Sequence, residues 1–186
     1  GRYGQDNRNY RITASIEDAN VASRVADKNN RTSFTKNDEI FIGWSGSASY
    51  KYLCSGTDNV FVPNASDANR ELWTGLLNAS STKEVYAWYG TMSSTLPAVG
   101  TNISIPPDQT SDSKMLSAIC MAAHQSASST TNTLDFTFHH LTARLFISVD
   151  VVDDIVMQED VMGATARLNR IYTAGNVATD TYSKEY

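Results

Sequence analysis

The stretch Leu134–Val151, LDFTFHHLTARLFISVDV, decides the fold class. It opens in strict alternation: Leu134, Phe136, Phe138 and His140 on one side, Asp135, Thr137 and His139 on the other. A period of two describes a half-buried strand rather than a helix. After His140 the apolar set changes parity, to Leu145, Ile147, Val149 and Val151. A strand cannot change faces without an irregularity, so a bulge or tight bend is expected near Leu141–Ala143, followed by a second strand segment. A strand this apolar needs a second layer over its buried face.

Working outward, the same alternation recurs. Tyr10–Glu17, YRITASIE, sets Tyr10, Ile12, Ala14 and Ile16 against Arg11, Thr13, Ser15 and Glu17. Asp38–Trp44 does so with Ile40, Ile42 and Trp44. Tyr50–Leu53 and Asn59–Val62 suit a hairpin around Cys54–Asp58. Val85–Tyr89, apolar or aromatic on both faces, suits a central strand. Asn102–Ile105 is a short strand ended by Pro106 and Pro107, which cannot donate ladder hydrogen bonds. Ala166–Tyr172 reads as a last strand. Leu72–Leu77, interrupted by Gly75, reads as an edge element. Ser111–Ala123 stays open, since Met115, Ile119 and Ala122 fit helical spacing while Leu116 and Ala118 fit a strand. The connection Asp18–Asn37 is polar and long for a compact domain, so it is expected to be exposed. Ser126–Thr133 is a low-complexity loop. The expected core contains Ile12, Ile16, Ile40, Ile42, Val85, Ala87, Phe136, Phe138, Leu145 and Ile147.

Four stretches carry a resemblance. FTFHHLTARLFISV resembles the F-x-H-x-x-A-(K/R)-L strand of the fimbrillins, pilus subunits of Bacteroidales-type bacteria. RTSFTKNDEIFIGW, EVYAWYG and ISIPPDQTSDSKMLSA are similar to three further segments of that family, in the family's order. The resemblance implies an all-β, transthyretin-like Greek-key β-sandwich of about seven strands, an exported lipoprotein precursor, and cleavage after an arginine by a surface protease. It also implies assembly by a donor strand from the next subunit. On this reading 1–9 is an extended lead, 10–173 the sandwich, and 174–186 a tail or the beginning of a second domain. The resemblance favours an extended Ser111–Ala123.

The chain has 186 residues, 41% of them hydrophobic, enough for a real core. Its net charge of −5 comes without any basic block, so nucleic-acid binding has no electrostatic footprint. No apolar run approaches the roughly 18 residues of a membrane helix. With no signal peptide at its start, the chain reads as a mature or trimmed form. Cys54 and Cys120 stand outside any Cys-x-x-Cys or metal spacing, and either a single bridge or two thiols fits them.

Chemistry is sparse. His139 and His140 are adjacent on a strand, face opposite sides, and cannot close one metal site. Asp150, Asp153 and Asp154 lack the oxygen spacing and glycine of a calcium loop, and read as a solvated acidic turn. No serine sits in a nucleophile elbow. No catalytic activity, metal or cofactor is expected.

Structure is then the expected function: a subunit, tip or anchor of a cell-surface fimbria in the outer membrane, pairing with other subunits by strand donation and mediating adhesion to surface ligands. Arg24 and Arg31, with Arg8 nearer the start, are the candidate processing sites, because an exposed loop with arginines suits a trypsin-like protease. Cutting at Arg24 or Arg31 would free Tyr10–Glu17 and open a groove beside the Leu134–Val151 strand or its neighbour, whereas cutting at Arg8 would leave this strand in place. The alternative is a permanent first strand. A different class of function, a glycan-binding module, would use Trp73 and Trp88 as stacking platforms and requires them to be exposed.

Overall fold

The computed structural model describes residues 9–17, 32–90, 102–104, 106, 108–141, 172–176 and 181–185, the three short segments 102–104, 172–176 and 181–185 by their backbone alone. The chain divides into two units, Gly1–Val99 with Pro106–Thr142, and Gly100–Ile105 with Ala143–Tyr186.

The first unit is built on seven strands: β1 (Arg11–Ile16), β2 (Glu39–Gly43), β3 (Tyr50–Cys54), β4 (Val60–Pro63), β5 (Lys83–Gly90), and the strands Cys120–Ala127 and Thr133–His140. β6 (Asn102–Ser104) belongs to the second unit, which makes the last two of these β7 and β8. They close into a barrel in the order β1-β4-β3-β2-β5-β7-β8. The fold is mostly β, as the alternation requires. Among the described residues of this unit the strands form one closed sheet rather than the two separate sheets of a sandwich. β1 pairs with both β4 and β8, and so joins what would have been two sheet edges.

Parity fixes one further feature. Around a closed ring of seven staves, directions cannot alternate everywhere, so one neighbouring pair must run parallel. That pair is β1–β8; the remaining pairings are antiparallel.

The core follows the alternation residue by residue. Ile12, Ile16, Ile40, Ile42, Val85, Ala87, Phe136 and Phe138 are all buried in one cluster. Leu145 and Ile147, the bend near Leu141–Ala143 and the acidic residues from Asp150 to Asp154 lie outside the described residues, apart from Leu141 itself, whose N–H bonds the Cys120 carbonyl at 2.9 Å. The β3–β4 hairpin forms where expected. Its tip holds Asp58 and Asn59 at φ of 54° and 58°, with Val60 N–H on the Thr57 carbonyl at 3.0 Å. Positive φ at both central residues matches the right-handed twist of the flanking strands.

Two elements correct the expectations. Leu72–Leu77, read as an edge element, is the second half of helix α1 (Ser66–Leu77), which connects β4 to β5 and packs on β3 and β4. Leu72, Trp73 and Leu76 form its buried stripe. Its first half, SDANRE, is polar, so the helical period spans barely one turn of apolar residues. Ser111–Ala123 is helical first and extended second: α2 (Asp112–Ser117), then β7. Ser111 caps α2 by accepting from Lys114 N–H. Asp112 to Ser117 are all at least partly exposed, so tertiary packing adds little to this short helix.

In the second unit β6 pairs with β9 (Tyr172–Asn176), which pairs with β10 (Thr181–Glu185), giving a three-stranded antiparallel sheet in the order β10-β9-β6. β10 runs through a stretch whose polar composition reads as tail.

Candidate functional site

The described residue pattern with functional potential is the slot that β1 occupies between β4 and β8. On the β8 side β1 runs in register over its whole length, Ile12 beside Leu134, Ala14 beside Phe136 and Ile16 beside Phe138. On the β4 side only Ile12–Phe61 and Thr13–Val60 pair. Arg11 N–H bonds the Asn132 carbonyl at 3.0 Å and Glu17 N–H bonds the Phe138 carbonyl at 2.8 Å, so both ends are fixed to β8. Ala14 N–H reaches the hairpin-tip carbonyl of Asn59 at 3.0 Å.

The inward side of β1 is large–small–large. Ile12, Ala14 and Ile16 are 2%, 0% and 9% exposed, and the small Ala14 pairs with Phe136. The outward side is polar: Thr13 donates its hydroxyl to Asp135 Oδ1 at 2.7 Å, and Glu17 pairs with His139 Nδ1. These exposed contacts fix register more than they stabilise. Just before the strand, Tyr10 stacks at a tilt on Trp73 of α1, with centroids 4.6 Å apart. The strand expected to border a vacated groove is thus the actual neighbour of β1.

Phe34, within the connection read as polar, packs on both flanks of the slot. Its ring lies edge-on to Phe61 and Phe138, both at 5.2 Å, and meets Tyr89 at 5.7 Å. A single aromatic among Thr, Ser, Lys and Asn carries no periodicity; the signal that included it was the resemblance of RTSFTKNDEIFIGW. Gln125 is also unsignalled. Its Oε1 accepts from Asp135 N–H at 2.7 Å and its Nε2 donates to the Thr133 carbonyl at 3.3 Å, joining β7 to β8 beyond their short ladder.

The other candidates sort as follows. Arg8, Arg24 and Arg31 lie outside the described residues. Trp73 and Trp88 are 1% and 5% exposed, which corrects the edge assignment of Trp73 and leaves neither ring a face on which a sugar could stack. Trp88 points outward from β5, opposite to Val85 and Ala87; among the described residues its buried indole N–H has no hydrogen-bond partner. Trp44 is half-buried against Tyr50. His139 is exposed and His140 half-buried, on opposite sides. Among the described residues no three His, Cys, Asp or Glu side chains gather as a metal site. Cys54 and Cys120 are buried free thiols, and burial pushes the Cys120 pKa up to about 12. The polar cluster at the β5–β7 margin is Glu84, which accepts from Ser126 Oγ at 2.7 Å and pairs with His124. The Ser126 hydroxyl first, and His124 second, hold the Glu84 carboxyl below its ordinary value.

No family model and no curated sequence matches the chain. Among solved structures, it is similar to a Bacteroides ovatus protein whose description proposes a cell adhesion role: TM-score 0.52, 15% identity, 96% of this chain and 69% of that one. A Bacteroides uniformis protein described in the same terms aligns with TM-score 0.42 and 17% identity over 73% of this chain and 49% of that one. At such identities the first likeness shows a shared fold.

Proposed function

We propose that this chain is a structural subunit of a bacterial cell-surface fimbria, with a role in adhesion, and that it assembles by exchanging β1 for a strand of a neighbouring subunit. The observation that carries the reading is the asymmetry of β1. It fills a core slot with three side chains, yet has only two paired residues on β4 and a parallel ladder on β8. An unfilled slot would expose a row of backbone groups and an apolar groove, and an added strand satisfies both. Supporting it are the four fimbrillin-like stretches and the fold shared with a protein described as an adhesion protein. Processing at Arg24 or Arg31, in the link between β1 and β2, would release the strand; cleavage at Arg8 would leave it in place. Surface location and an exported precursor belong to the same proposal. The burial of Trp73 and Trp88 removes the support for the glycan-binding alternative.

Limited trypsin digestion followed by native mass spectrometry tests it. The expected result is a nicked protein that loses the fragment containing Tyr10–Glu17 and then associates or takes up an added strand peptide. A nicked protein that retains the fragment and accepts nothing removes strand exchange from the reading.

A further inference from the structure

Once β1 is gone, the six remaining strands alternate in direction, with β4 and β8 flanking the slot and antiparallel to one another. A strand entering must run parallel to one flank and antiparallel to the other. β1 takes the long flank, β8, in the parallel sense and the short flank, β4, in the antiparallel sense. Parallel ladders are slightly the weaker kind per residue, so β1 occupies the slot in the less favourable direction. Reversal would make the longer ladder antiparallel and leave only the two-residue flank parallel.

The pockets do not oppose reversal. The inward series Ile12, Ala14, Ile16 is a palindrome in size, and the outward residues between them, Thr13 and Ser15, are both small hydroxyls. A strand running the other way with the same series puts an isoleucine against Leu134, an alanine against Phe136 and an isoleucine against Phe138. Asp135 faces outward beside the slot and now takes a hydroxyl hydrogen bond, so a donor residue suits that position and a carboxylate does not.

We propose that the slot's intended occupant is an extended segment of another polypeptide running antiparallel to β8, opposite to β1, with large–small–large apolar residues at every second position and a hydrogen-bond donor facing Asp135. This rests on the strand-exchange reading. It adds a driving force to it, because replacement of β1 exchanges a parallel ladder for an antiparallel one.

The test uses the full chain with a unique protease site inserted between Arg24 and Arg31, cut so that β1 stays bound. Two peptides compete for the slot, one with the sequence of 10–17 and one with that sequence reversed, each carrying a photo-crosslinker at its N-terminus. The reversed peptide is expected to displace β1 at about tenfold lower concentration. Its N-terminus should crosslink near Phe138 and His139, at the end opposite to the β1 N-terminus. Displacement by the forward peptide at equal or lower concentration, or a reversed peptide crosslinked beside Thr133, overturns the direction while leaving exchange intact. If neither displaces β1, exchange fails and the direction falls with it. On the uncut chain, at about millimolar peptide, hydrogen exchange of the Ile12–Ile16 amides should rank the two peptides in the same order, and the opposite order counts against the proposal.

Discussion

Phe34 meets Phe138 edge-on, with ring centroids 5.2 Å apart and planes at 79°. One ring comes from the loop before β2, the other from the inward side of β8. The contact links the polar connection to the core beside the end of β1, where Ile16 pairs with Phe138. Phe34→Ala should therefore destabilise by about 2 kcal/mol, less than the roughly 3–5 kcal/mol of Phe138→Ala at a fully buried site. Urea denaturation of both variants checks it. A Phe34→Ala protein with an unchanged midpoint would mean that the ring contributes nothing to the seal.

What was legible in the sequence was the part governed by period two. Ile40 and Ile42, Val85 and Ala87, and Phe136 and Phe138 all face inward as their alternation requires. Closure was not legible, because whether β1 joins two edges depends on pairing between residues more than a hundred apart, such as Thr13 and Asp135. α1 was missed because its apolar stripe is confined to Leu72, Trp73 and Leu76, too short to show a 3.6 period. The slot was half legible: the β1 pattern and its long flank in the Leu134–Val151 stretch could be read, its short flank β4 could not.

Ala14 is 0% exposed and pairs with Phe136. If the large–small–large order governs the slot, Ala14→Leu should overpack it and cost roughly 1–3 kcal/mol. The outward Ser15→Leu, one residue along, should cost under about 0.5 kcal/mol. Comparable thermal shifts for the two would mean that size on the inward side does not select the strand.

Gly75 lies within α1, where alanine ordinarily gains about 1 kcal/mol over glycine. Here a Cβ would stand 2.9 Å from Trp44 Cζ2. Gly75→Ala is therefore expected to lower the melting temperature, and a Trp44→Leu background should recover the helix-propensity gain. A Gly75→Ala variant that melts higher with Trp44 present would show that the indole yields freely.

The lowered pKa of Glu84 has a definite pH signature. A depressed carboxylate contributes stability above its unfolded pKa, near 4.5, and that contribution is lost as pH falls through the folded value. Ser126→Ala removes the first cause of the depression. It should lower the melting point by about 1 °C at neutral pH, the site being largely exposed. The difference should begin to shrink below pH 4.5 and disappear once pH has fallen through the lowered folded value, where Glu84 is protonated in both proteins. A difference that persists after pH has fallen through the lowered folded value would assign the Ser126 effect to packing.

The two thiols report on different parts of the barrel. Cys54 lies in the core cluster and pairs across β3–β4 with Phe61, the residue that pairs with Ile12 of β1. Cys120 is fully buried but lies outside that cluster, opposite Gly90 at the end of the β5–β7 ladder. In the intact protein both should resist alkylation at pH 8, Cys120 doubly so because its thiol is held neutral up to about pH 12 and the thiolate is the nucleophile. If β1 leaves as a unit, the slot opens next to Phe61, and Cys54 should gain reactivity while Cys120 keeps its protection. Mass spectrometry of iodoacetamide-labelled protein, cut in the link after β1 and left uncut, separates the cases. Preferential labelling of Cys54 in the cut protein is the expected outcome. Equal labelling of both cysteines would mean that removing β1 unfolds the barrel as a whole, and a slot that collapses in this way could not wait for an incoming strand.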